Sequence, residues 1–212
     1  MLMLSACTQD AYDKGEGSLS KVEADFVEAY TDANKQVFRV VTDEGESLTF
    51  STPFTQKWAQ TADSVYRALL YYRRMAQSDT EVEALSCGQV SVPSIVPRDS
   101  VKVQMKTDPV RMESVWLSKN RRYLNMGFYL KSGATDDEKA VHRLGIVADS
   151  LQRHTDGKTT LCLRLYHDQG GVPQYYSQRS YVSISVANIK ADSIALAINT
   201  YEGEKVTRQS LR

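Results

Sequence analysis

The run Tyr181-Val182-Ser183-Ile184-Ser185-Val186 places β-branched residues at 182, 184 and 186 and hydroxyls at 183 and 185. Successive side chains of a strand point to opposite faces, so the run reads as a half-buried strand with Ser183 and Ser185 turned outward. Similar short segments rich in β-branched or aromatic residues recur along the chain: Phe26-Val27, Val37 to Val41, Leu48 to Phe50, Val90 to Val96, Val101 to Met105, Ser114 to Leu117, Leu124 to Leu130, Leu161 to Tyr166 and Ile194 to Ile198. Between them, Asp43-Glu44-Gly45, Lys131-Ser132-Gly133, Thr155-Asp156-Gly157, Gln169-Gly170-Gly171 and Glu202-Gly203 supply the residues that allow positive φ at hairpin corners. The spacing predicts an antiparallel all-β protein.

Two stretches resist this pattern. Ala62 to Arg74 carries Val65, Leu69 and Tyr72 at helical spacing, and its Ala, Leu and Arg content favours a helix. Tyr66 to Tyr72 fits a buried strand equally well, because periodicity does not separate the two over so short a run, and we read it as a strand. Thr135, with Glu138 three residues on, has the form of a capping box and predicts one helical turn.

The chain has 212 residues, 42% of them hydrophobic and 25% charged, enough for one or two small domains with real cores. Pro93, Pro97 and Pro109 disfavour a central strand between them, which places a junction near Lys106. The expected organisation is a signal and tether over 1–21, one β domain over 22–106 and a second over 107–212. Lys plus Arg and Asp plus Glu number 26 each, so no basic field attracts nucleic acid, which is excluded as a partner. No stretch approaches the roughly 20 apolar residues of a membrane helix.

Leu4-Ser5-Ala6-Cys7 resembles the lipobox of a bacterial lipoprotein, in which the Cys7 thiol becomes a lipidated thioether at the new N-terminus. Only Met1 to Leu4 precede the small residues, without Lys or Arg, which points to a signal shortened at its start. Thr8 to Ser20 is a polar tether too poor in apolar residues to fold by itself. A lipid on Cys7 would hold the protein at a membrane, firmly with two or more chains. Cys87 and Cys162 sit in apolar runs and are expected to be free buried thiols.

Val115-Trp116-Leu117-Ser118, Tyr123 to Phe128, His142, Leu163-Arg164-Leu165-Tyr166-His167 and Tyr181-Val182-Ser183 resemble, in order and spacing, the C-terminal domain of the NigD-like lipoproteins of Bacteroidetes. With the corner at residues 43 to 45 and the lipobox, the likeness covers nearly the whole chain. It implies a small N-terminal OB-like barrel followed by an antiparallel β-sandwich, tethered to the envelope. The family's name comes from association with a bacteriocin operon.

No catalytic or metal-binding frame stands out. His142, His154 and His167 lack the short fixed spacings of zinc ligands. Ser118, Ser183 and Ser185 lack a nucleophile turn, and no glycine loop suited to phosphate is present. Neither a catalytic residue, a metal nor another cofactor is therefore expected. Aromatics carry the remaining signal: Trp58 and Tyr71 in the barrel half and the loop pair Tyr175-Tyr176 are candidate contacts for a ligand or partner, against a core role for most tyrosines. The reading is a non-catalytic, monomeric envelope lipoprotein of the outer membrane, periplasmic or surface-facing, that binds another envelope protein or a glycan. The alternatives are a self-protection factor against a bacteriocin and an envelope hydrolase.

Overall fold

A computed structural model describes residues 21–212, so Cys7 and the tether lie outside the described residues. The chain is built from strands. β1 (Glu23–Thr31), β2 (Gln36–Thr42), β3 (Ser47–Thr55), β4 (Val65–Arg74) and β5 (Val82–Gln89) form a sheet in the order β3-β2-β1-β4-β5. It curls until β3 and β5 meet side by side in parallel at the Thr49–Glu81 bridge, giving an OB-like barrel. Val27, Ala29, Val37, Val40, Leu48, Ala68, Leu70 and Tyr72 fill its interior and are fully buried. The helix-prone segment is thus strand β4. Pairing on both edges, with β1 and β5, and burial of Ala68, Leu70 and Tyr72 at a period of two outweigh its helical propensity.

The second unit comprises β6 (Ile95–Pro97), β7 (Arg111–Leu117), β8 (Tyr123–Ser132), β9 (Arg143–Arg153), β10 (Thr159–Asp168), β11 (Tyr176–Ser185), β12 (Ser193–Thr200) and β13 (Gly203–Ser210). Sheets β13-β12-β10-β9-β6 and β11-β8-β7 face each other across a core that includes Leu124, Met126, Phe128, Ile146, Leu163, Ile184, Ile194, Leu196 and Ile198. Each such side chain contributes roughly 1.5–3 kcal/mol by leaving water. β6 pairs in parallel with β9 and so lies in the sandwich, ahead of the junction expected near Lys106.

Three local expectations are corrected. Val101 to Met105 is not a strand; it is a largely exposed link, because these residues find no pairing edge. Thr135 starts no helix: its hydroxyl accepts the Asp137 amide in an Asx-like turn, and the helical turn among the described residues is Arg98–Ser100. Lys131-Ser132-Gly133 is not a corner, since β8 runs through Ser132 and Gly133 has no positive φ. At the other predicted corners Gly45, Gly157, Gly170, Gly171 and Gly203 do take positive φ.

Candidate functional site

The outer face of the three-stranded sheet carries the polar chemistry of the molecule. Pairing register fixes its rows. Trp116, Asn125 and Ser183 lie abreast, then Ser114, Gly127 and Tyr181, then Arg111, Tyr129 and Arg179, with Lys131 and Ser177 beyond. Barrel strands β1 and β4 cover the first rows and leave the later ones open.

Under the cover, Arg67 of β4 reaches into the sandwich and is 4% exposed. Its Nη2 donates to Asp43 Oδ2 at 2.6 Å and to Asn125 Oδ1 at 3.0 Å, and its Nε donates to Ser183 Oγ at 3.1 Å. The guanidinium lies 4.1 Å from the centre of the Tyr123 ring. Asn125 Nδ2 donates to Asp43 Oδ2 at 2.8 Å, closing the network. Glu28 of β1 is the reciprocal device, a buried barrel carboxylate accepting from Arg122 Nη1 at 2.7 Å and Tyr123 hydroxyl at 2.8 Å. Burial, then the Glu28 carboxylate, push the Tyr123 phenol up to about 12. Phe26 sets its edge against Trp116 and Tyr181, with centroids 5.4 and 5.2 Å away. Buried charges paired in both directions fix the two units against each other. Ser183 does face away from the sandwich core, yet it is 0% exposed, because the barrel covers it.

Past the barrel's edge the face is open. Arg111 packs its guanidinium 3.9 Å from the centre of the Tyr129 ring, with its register partner Tyr129 flanked on the other side by Arg179. Arg179 Nε donates to Glu113 Oε2 at 2.7 Å, across Gly127. A Cβ on Gly127 would stand 3.1 Å from Tyr181 Cε1 and 3.2 Å from Glu113 Oε2, so the missing side chain lets those two groups lie flat over the sheet. Tyr71, 40% exposed, comes from the outer face of β4, on the side of Tyr181. Tyr175, 79% exposed, packs on the outer side of Gly133, and its amide donates to the Ser132 carbonyl at 2.9 Å.

Of the four candidate aromatics, Tyr71 and Tyr175 therefore border this face. Tyr176 opens β11 opposite Ser132, one residue out of step with the outward row. Trp58 lies elsewhere. Its Nε1 donates to the carbonyl of Cys87, one of the residues lining a groove of about 350 Å³ between β3 and β5, at 3.3 Å, and it stacks edge-on with Tyr66. Arg111, Tyr129 and Arg179 were not singled out from the sequence; the signal available was the outward parity of Ser183 extended backwards to Tyr181 and Arg179.

The histidines divide differently from their spacing. His142 Nδ1 and His167 Nε2 are 3.1 Å apart, and His167 Nδ1 is 2.9 Å from the Asp108 carbonyl. A carbonyl only accepts, so His167 carries its proton on Nδ1 and His142 donates from Nδ1. Burial, then His167, hold His142 below the ordinary imidazole range. His154 instead meets Thr160 Oγ1 at 2.7 Å. Among the described residues no three His, Cys, Asp or Glu side chains cluster as metal ligands. Ser118 Oγ serves its own turn, donating to Asn120 Oδ1 and accepting the Arg122 and Tyr123 amides, while Ser183 is held by Arg67 and Asn125. Neither has a histidine base. Cys87 and Cys162 are free thiols; burial raises Cys87 to about 12, whereas Cys162 is only half-buried, against the expectation that both are buried.

A barrel docked through buried charges on one face of a sandwich, with the rest of that face cationic and aromatic, defines a two-unit all-β protein whose open surface is suited to contact. The chain belongs to the NigD-like family: the NigD-like C-terminal beta sandwich domain matches residues 94–210. It is similar in structure to a NigD-like immunity protein from Bacteroides caccae, at 24% identity, 88% of this chain, 91% of that one and a TM-score of 0.66. It is also similar to a candidate lipoprotein from Bacteroides fragilis, at 14% identity, 90% and 98% coverage and a TM-score of 0.65. A protein of unknown function from Bacteroides vulgatus aligns at 18% identity, 89% and 90% coverage and a TM-score of 0.64. These likenesses establish the shared fold. No curated protein matches, and the family that does match is described by its fold, with no catalytic activity named.

Proposed function

We propose that the protein is a non-catalytic, monomeric lipoprotein of the outer membrane, anchored through Cys7, that binds a glycan or another envelope component on the open part of the three-stranded sheet. The observation that carries this reading is the Arg111–Tyr129–Arg179 row beside the barrel, its two arginines exposed on a half-buried Tyr129 and bordered by Tyr71 and Tyr175. Exposed tyrosines offer large contact area with little ordering entropy, and arginines are frequent anchors of binding surfaces. The Bacteroides fragilis neighbour of the same fold, described as a candidate lipoprotein, supports the envelope location. The test is retention of the purified, lipid-free protein on isolated envelope material. The Tyr175→Ala/Arg111→Ala variant should elute early, and equal retention of both proteins removes the reading. A second reading, self-protection against a secreted antibacterial peptide, draws on the immunity protein from Bacteroides caccae. Unchanged sensitivity of a deletion strain to the neighbouring toxin would dispose of it.

A further inference from the structure

Resting on that reading, we infer that the open face takes an acidic saccharide, its carboxylates or sulfates held by Arg111, Arg179 and Lys131 and its sugar rings packed against Tyr71 and Tyr175. Charge complementarity carries the choice. Along this face Arg111, Lys131 and Arg179 stand against one carboxylate, Glu113, which is already taken by the Nε of Arg179. Among the described residues, Arg111 and Lys131 have no ion pair. This is a local excess of two positive charges on a chain whose total is balanced at 26 against 26.

The arginines are also presented in a defined way. Tyr129 holds the Arg111 guanidinium over its ring, 3.9 Å from the centre, and no carboxylate of the described residues pairs with it, so its N–H groups are available to an anion. Glu113 fixes Arg179 through Nε alone, at 2.7 Å, and leaves its outer nitrogens. The surface suits a linear chain rather than a single small anion. From Tyr175 to Tyr181, beside Tyr71, the strand spans about 20 Å at roughly 3.4 Å per residue, with Arg179 in between. An extended oligomer gains by repeating one modest contact, a ring on a tyrosine and an acid on an arginine, along the row.

The experiment is affinity electrophoresis of the intact protein in gels containing polygalacturonate, alginate or chondroitin sulfate, with fully methyl-esterified polygalacturonate as the uncharged counterpart. Anionic phospholipid vesicles, in a flotation assay with the lipid-free protein, form a separate arm. Retardation by at least one acidic polymer and none by the ester is expected, with at least tenfold weaker retardation for Arg111→Ala/Arg179→Ala and for Tyr175→Ala. All three side chains are exposed, so these variants should keep the parent's unfolding midpoint. Equal retardation by the ester, lost in the Tyr175→Ala variant, overturns the acidic class and leaves the binding face standing. Acidic binding that the variants do not weaken overturns the face itself. Retardation by none of the polymers, or binding to the vesicles alone, overturns the inference.

Discussion

Replacing Arg67 by methionine tests the claim that buried charges lock barrel to sandwich. The change keeps most of the apolar stem and removes three donated hydrogen bonds, to Asp43, Asn125 and Ser183. What remains is worse than a missing contact. The Asp43 side chain, 14% exposed, keeps its charge with only the Asn125 amide for a partner, and Ser183 stays fully buried. Removing one partner of a buried pair costs about 3–5 kcal/mol, against total stabilities of about 5–15 kcal/mol. At a urea m-value of about 2 kcal/mol/M, the midpoint should fall by about 1.5–2.5 M. Adding Asp43→Asn removes the stranded charge and should bring the loss below about 2 kcal/mol, a coupling that independent sites would not show. Trp116 packs on Phe26 at the junction, so its fluorescence in a Trp58→Phe background reports separation of the two units directly. A loss under about 1 kcal/mol for Arg67→Met, or no recovery in the double variant, would refute the reasoning.

Three further outcomes follow from the geometry. Gly170 has φ of 59°, and a Cβ there would lie 2.0 Å from the Val141 carbonyl oxygen, so Gly170→Ala should lose more than about 3 kcal/mol in thermal unfolding, whereas Gly157→Ala, with nothing near its Cβ, should lose only the positive-φ strain of about 1–3 kcal/mol. His142 is depressed in the folded state, first by burial and then by His167, so the unfolded chain takes up its proton first. Stability should hold above about pH 6.5 and fall as the pH drops below it; a His142→Asn variant should flatten that limb of the urea-midpoint profile against pH. In a Cys7→Ser protein, Cys162 should react with a thiol reagent before Cys87, whose thiol is buried and pushed up to about 12; early labelling of Cys87 without unfolding would contradict its placement.

How much of this was legible in the residues depends on the range of the interaction. Val182, Ile184 and Val186 alternate with Ser183 and Ser185 because a strand's pleat is local, and that period gives the all-β class directly. What covers Ser183 is not local: Arg67 lies 116 residues away in sequence, and in the string of letters it is one arginine of a helix-prone stretch. The same argument applies to His142 and His167: pairing of β9 with β10 sets Leu144 opposite His167, and His142, just ahead of β9, comes to 3.1 Å from it whatever their sequence spacing. Val101 to Met105 fails for the opposite reason, since it has a strand's composition and no edge to pair with.

The open face shows why a site of this kind escapes motif reading. Arg111, Tyr129 and Arg179 share no spacing; they become neighbours through one bulge in β7 between Met112 and Ser114, which sets Arg111 opposite Tyr129 while keeping Trp116 opposite Asn125. That single extra residue, Glu113, is also the one that holds Arg179. Regular pairing continued from Ser114 would set Glu113 opposite Phe128 and Arg111 opposite Leu130, turning Arg111 toward the core; the bulge absorbs the extra residue and keeps Arg111 outward, so the cationic row depends on the bulge as much as on the arginines themselves.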